Sequence, residues 1–336
     1  MEEKQFNFDL IKGFLCICVV IGHCTKTVPN GIIQIIYWFH MPCFFILSGW
    51  FLKAPENIFS WIKNKIIRIW IPQIVWFFLL FFINGRLCKK NLLYFICGAR
   101  NLGGVWWYVP TLFLSMLMFI IMEKYFSKYY MAVLAVIYLF VCADYYFFIP
   151  KIDRNKLPFS IGVAMLAFIY VSLGHYLKAY WTEMNMANFV GRLLKNQNMI
   201  EYERVKLSVI CIVTFIVLYK MGIYKYHMNM AGMKLGAVLW NLIIPFSAMT
   251  ILLYISTQIK ELCGLRKKIE IFGRNSLMIM YLHKFVLNDI IEPILGVEGY
   301  VWIINVLLTL LICYVTCILI SRNVILCKCL GGRSIL

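Results

Sequence analysis

Of the 336 residues in this chain, 62% are hydrophobic and 14% are charged, and the mean hydropathy is +0.80. Soluble domains run at roughly 45–50% apolar and ~25% charged, so the composition excludes a soluble globular protein and implies an integral membrane protein. The net charge of +18 would suit nucleic acid only as a basic face on a soluble domain; here the positives fall between apolar segments, and no nucleic-acid partner is expected.

A bilayer core needs ~20 mostly apolar residues per helix. Ten segments qualify in chain order, near 9–27, 32–52, 69–84, 104–122, 130–149, 158–178, 205–222, 236–256, 271–290 and 300–321. The third is short, and the ninth carries Asn275, Ser276, His283 and Lys284. No hydrophilic block exceeds the stretch around Trp181 to Lys206. The expectation is therefore an all-α integral membrane fold of about ten transmembrane helices, one membrane domain over 1–336 and no soluble domain. With the N-terminus inside, the inner segments hold 20 Lys and Arg and the outer segments 11. The positive-inside rule then places both termini in the cytoplasm and the chain in the plasma membrane as a multi-pass protein, expected to be bacterial.

The first segment, FDLIKGFLCICVVIGHC, has no small-residue cleavage site after it, and its Asp9 is foreign to a signal peptide's basic start. At 100° per residue, Lys12 and His23 lie about 20° apart around the helix, and Asp9 about 60° to the other side of Lys12. His23 is ~16 Å deeper than Lys12. An ionisable stripe on a membrane helix faces a bundle interior or a watery cavity. For Asp9 and Lys12 a second reading stands, with Asp9 favouring the helix start and Lys12 snorkelling to the surface. His23 is too deep for that, which leaves a functional role or a structural hydrogen bond.

The second segment reads FHMPCFFILSGWFL, in which Pro42 interrupts backbone hydrogen bonding and Ser48-Gly49 admits a close neighbouring helix. Next, KNKIIRIWIP sets Lys63, Lys65 and Arg68 just before the third span and its Pro72. Such cations hold phosphates or lipid headgroups. Trp106, Trp107 and Tyr108 suit either a sugar-stacking platform or an interfacial anchor. His283 follows Ser276 by seven residues, about 20° apart on one helix face, and is a candidate site wall, as is His40 beside Pro42; His175 and His227 read as plain polar residues. The thirteen cysteines are scattered through apolar segments without metal-ligand spacing, and no metal site is expected.

Taken in order, D-x-x-K-G-x9-H at Asp9 to His23, F-H-M-P-x-F-F-x-x-S-G at Phe39 to Gly49, K-x-x-R-x-x-x-P at Lys65 to Pro72, WWYVPTLF at Trp106 to Phe113 and FGRNSLMIMYLH at Phe272 to His283 resemble the membrane acyltransferase 3 family over nearly the whole chain. The wording is most similar to its stand-alone sugar O-acetylases of the fucose 4-O type. The resemblance implies transfer of an acyl group, usually acetyl, from cytosolic acetyl-CoA as co-substrate to a hydroxyl of a sugar or of a surface or exported glycan. The family's paired Arg and His of the first helix would fall on Lys12 and His23. Lys keeps the charge but loses the bidentate fork, which makes Arg68 the better candidate for that geometry. The implied roles are His23 as general base; Lys12, Lys65 and Arg68 on CoA phosphates; Asp9 orienting Lys12; and Ser48, Asn275 or Ser276 as oxyanion donors. His40, Trp107, Tyr108 and His283 complete the candidate substrate wall. An alternative of another class is a small-molecule transporter, because the membrane half of a vancomycin-resistance serine racemase resembles the same family and is associated with serine uptake. Against it, no pair of matching halves is visible.

Overall fold

The computed structural model describes residues 6–24, 28–147, 158–186, 197–223, 228–232, 235–259, 264–297 and 300–334. His227 and the counted cations Lys4, Lys26, Lys151, Arg154, Lys156, Arg192, Lys195, Lys225, Lys234 and Lys260 lie outside them. In chain order the helices are α1 (Phe8–His23), α2 (Asn30–Trp50), α3 (Ile58–Lys65), α4 (Ile71–Ile83), α5 (Lys89–Ile96), α6 (Tyr108–Phe126), α7 (Tyr130–Phe147), α8 (Ile161–Met186), α9 (Gln197–Lys220), α10 (Trp240–Gln258), α11 (Leu265–Arg274), α12 (Ser276–Phe285), α13 (Glu292–Leu295), α14 (Val301–Ser321) and α15 (Val324–Leu330). No strand occurs among the described elements. Six helical stretches among the described residues are long and apolar enough to cross a membrane: Asn30–Trp50, Ile58–Ile83, Tyr108–Cys142, Pro158–Ala179, Trp240–Gln258 and Val301–Ser321. The protein is an all-helical, multi-pass integral membrane protein.

Three predicted segments take a different form. The third begins at Ile58, not near residue 69, so Lys63, Lys65 and Arg68 lie within a 26-residue helical stretch rather than on a loop before it. The run Tyr108–Cys142 is divided at Phe126, whose φ of −131° leaves the helical region, at the connection expected between the fourth and fifth segments. The ninth breaks at Asn275, which separates α11 from α12 (φ −108°).

Two π-helical segments share one cause. Ile66–Trp70 lies two residues before Pro72, and Val286–Ile291 two residues before Pro293. Proline cannot donate to the carbonyl four residues earlier, which strands the Arg68 and Asp289 carbonyls from their α-helical partners. The chain shifts to i→i−5 bonding instead: the Ile71 N–H donates to Ile66 O and the Glu292 N–H to Leu287 O. Such π turns collect at functional sites; here one carries Arg68 and the other follows His283 and Lys284.

The chain forms two compact units, each drawn from separated segments. The first comprises Met1–Tyr37, Pro55–Pro110 and Ile259–Leu336, the second Trp38–Ala54 and Thr111–Gln258. Each is closed by a reciprocal pair of glycines. In the first, Gly13 of α1 faces the Ile269 carbonyl of α11, and Gly273 of α11 faces the Asp9 carbonyl of α1. In the second, Gly49 of α2 faces the Val171 carbonyl of α8, and Gly174 of α8 faces the Ile46 carbonyl. A Cβ at any of the four would overlap the opposing backbone. Association of membrane helices depends on such close approach. The small residue anticipated at Gly49 serves it, and the Ser48 Oγ donates to the Phe44 carbonyl of its own helix at 2.9 Å.

Candidate active site

The first unit gathers the ionisable stripe of α1. Asn7 caps the helix, its side chain accepting from the Leu10 N–H at 2.9 Å while its amide donates to Glu270 at 2.6 Å. Asp9 then collects three cations: Lys12 Nζ at 3.6 Å, Arg274 Nε at 3.3 Å and Arg333 Nη1 at 4.0 Å. Glu270 accepts from Arg266 at 2.9 Å and lies 3.5 Å from Arg274. Burial pushes the Glu270 carboxyl up, but the hydrogen bonds from Arg266 and Asn7 and the charges of Arg266 and Arg274 outweigh it, leaving its pKa below the usual carboxylate value. Four cations against two carboxylates leave this end of α1 positive. The Asp9–Lys12 pairing expected from sequence is present; Arg274 and Arg333 were not singled out, because only folding brings residues 265 and 324 positions away against Asp9.

Asn275 is engaged at both ends of its amide. Its Nδ2 donates to the Ile271 carbonyl at 2.9 Å and its Oδ1 accepts from the Arg333 N–H at 3.1 Å. The side chain therefore stitches the α11–α12 break to the C-terminal segment, which Trp76 also holds by donating from Nε1 to the Leu330 carbonyl at 3.0 Å. Ser276 opens α12, partly buried.

Ten residues along from Gly273, past the break at Asn275, α12 brings a histidine against one of α1. His23 closes α1 and His283 lies on α12, their rings stacked with centroids 5.0 Å apart and planes inclined by 23°. His283 is fully buried, and its Nδ1 lies 2.7 Å from the Ile279 carbonyl. A carbonyl can only accept, so in the neutral ring Nδ1 carries the proton and Nε2 a bare lone pair. That Nε2 is buried and has no hydrogen-bond partner among the described residues, a state costing ~1–3 kcal/mol. His23 is only partly buried, so the pair has one closed and one approachable side.

Tyr281, two residues before His283, faces the other way round α12, about 200° apart. It lies against Trp106 (centroids 5.0 Å apart) and Trp76 (6.1 Å). Trp106 and Trp107 are buried. Tyr108, partly buried, lies edge-on to Trp107 at 6.2 Å. Gln73, a fully buried amide of α4 that the apolar third segment did not bring to notice, donates to the Trp106 carbonyl at 3.3 Å; its Oε1 and the Tyr281 hydroxyl are both buried without a partner among the described residues.

Arg68 is exposed and Lys65 partly so, with the Lys65 ammonium 5.5 Å from the centre of the Trp61 ring. Among the described residues neither has a carboxylate partner. His40 and Ser48 belong to the second unit, where His40 is buried on α2. No group of three His, Cys, Asp or Glu among the described residues could hold a metal ion.

A family model described as an acyltransferase domain matches residues 5–322, and so takes in both units. Nodulation protein NolL of Sinorhizobium fredii (strain NBRC 101917 / NGR234) is 26% identical over 137 residues, which are 35% of this chain and 36% of that protein. The chain thus spans about a third of the length of that curated relative. No solved structure matches it.

Proposed function

We propose that this chain, which belongs to the acyltransferase 3 family, is a membrane O-acyltransferase that moves an acyl group, usually acetyl, from cytosolic acyl-CoA to a hydroxyl of a sugar or of a surface or exported glycan. The carrying observation is the stacked pair of His23 and His283, with the His283 Nε2 lone pair buried and unpartnered among the described residues. A thioester is already activated; what the reaction lacks is a nucleophile, which a neutral imidazole supplies by taking the hydroxyl proton, typically for 10²–10⁴-fold. Sequence alone put that task on His23. The fixed tautomer supports His283 Nε2 as the proton acceptor and His23 as its approachable neighbour, whose N–H stabilises the developing oxyanion. The hydroxyl oxygen bonds to the acyl carbon, the carbon–sulfur bond breaks, and the proton passes from His283 to the departing thiolate, giving ester and free thiol. On the helix and π turn leading to Pro72, Lys65 and Arg68 hold the phosphates of the acyl-CoA, with Lys12, Arg274 and Arg333 around Asp9 as further cations.

In proteoliposomes with acetyl-CoA and a surface-glycan extract, His283→Gln and His23→Gln should each lower thiol release by at least ~10² at normal protein levels. The double variant should be little worse than the poorer single one, as expected of residues that act as a unit. A fully active His283→Gln protein would overturn the base assignment. Uptake of a labelled small molecule without thiol release would favour transport instead.

A further inference from the structure

Lys284 follows His283 on α12, about 100° further round the helix, and the acyl-transfer reading gives it no task. It is partly buried, and among the described residues it makes no hydrogen bond or ion pair. A lysine half-withdrawn from water in a membrane helix is costly unless something neutralises it. The charged groups that bear on it are Asp289 and Arg86. Two cations against one carboxylate leave the trio net positive, and Asp289 also accepts from Asn84 at 3.1 Å. The loop beside it is shaped to receive the side chain: Gly103 and Gly104 both have positive φ, 71° and 61°. A Cβ at Gly104 would stand 3.1 Å from Lys284 Cδ and 3.3 Å from Cε, and would overlap the ammonium itself. Tyr281, three residues earlier on the same face, contributes a buried hydroxyl that lacks a partner among the described residues.

We propose that Lys284, seated against Gly104, is an anion subsite for the acceptor, so that the hydroxyl to be acylated belongs to a negatively charged sugar carrying a carboxylate or a phosphate. The inference rests on the acyl-transfer reading and deepens it. An acceptor anchored by its charge at Lys284 holds a hydroxyl at the height of the neighbouring His283, which is the positioning that a bimolecular transfer needs. Arg86, exposed at the same rim, draws anions toward it.

The test is equilibrium binding to the full chain in phosphatidylcholine nanodiscs, read by tryptophan fluorescence, with methyl glucuronide, glucose 1-phosphate, methyl glucoside and glycerol 1-phosphate as probes. Both sugar anions should bind at least ~10-fold more tightly than methyl glucoside, the lower bound for a charge-assisted hydrogen bond. Lys284→Gln and Gly104→Ala should erase the difference, and Lys284→Arg should retain most of it. Equal binding of the three sugars, absence of binding by all of them, or a preference that survives Lys284→Gln would overturn the proposal. Glycerol 1-phosphate binding as tightly as the sugar anions would assign the site to lipid headgroups and overturn the acceptor reading. Binding requires no transfer, so a charge-selective site in a protein that releases no thiol would refute the acyl-transfer reading and leave the subsite standing.

Discussion

At the scale of single residues, partners separate the candidates. Asn275 has both ends of its amide in protein hydrogen bonds, and Ser48 donates to its own helix, so each has a structural role that the motif alone did not disclose. Arg68 has no such commitment. Exposed, beside Lys65 and without a carboxylate partner among the described residues, it keeps its guanidinium fork available for phosphate. Arg68→Ala is expected to raise the KM for acetyl-CoA about 10–150-fold, the worth of a charge-assisted hydrogen bond, with kcat little changed. Kinetics at saturating acceptor measure this, and a defect confined to the acceptor's KM would remove Arg68 from the donor site.

At the scale of elements, the His pair depends on how α1 meets α11. Gly13 and Gly273 let the two backbones touch, and α12 continues from that contact to set His283 against His23. Gly273→Ala puts a methyl group into the Asp9 carbonyl, which forces the helices apart and misplaces the histidines. Activity should fall by at least ~10²-fold, as expected for a shift of ~1 Å, and thermal stability should drop as well. A Gly273→Ala protein with normal thiol release would mean that the pair tolerates displacement. The Glu270 network fastens the same joint and supplies a pH signature. Because the folded pKa of Glu270 lies below its ordinary 4.5, its stabilisation is complete above pH 4.5 and is lost as pH falls through the lowered value. The Tm in detergent should decline in that acid range, and Glu270→Gln should flatten the decline while lowering the Tm at neutral pH; an unchanged acid profile would show that Glu270 is not the titrating group.

At the scale of the whole molecule, topology is open to direct measurement through native thiols. Cys88 and Cys97 are exposed and fall in the expected outer segment between the third and fourth spans, whereas Asn57 falls in an inner one. An impermeant maleimide should label Cys88 in intact cells and should miss a cysteine placed at Asn57 in a variant lacking other accessible thiols; the reverse pattern would invert the orientation. The sequence by itself determined the membrane class and the helical fold, because burying backbone in hydrocarbon leaves a chain this apolar little alternative to helices. It also picked out the stripe of Asp9, Lys12 and His23, because helical periodicity is a local property. Helix ends were less legible: Pro72 and Pro293 suggest breaks, yet the π turns carry the helix through to them. Two groupings were decided by tertiary structure alone, Arg274 and Arg333 around Asp9 and His283 against His23. Each joins residues more than 250 positions apart, and a local pattern carries no information about which distant helix the Gly13 and Gly273 contacts will draw alongside.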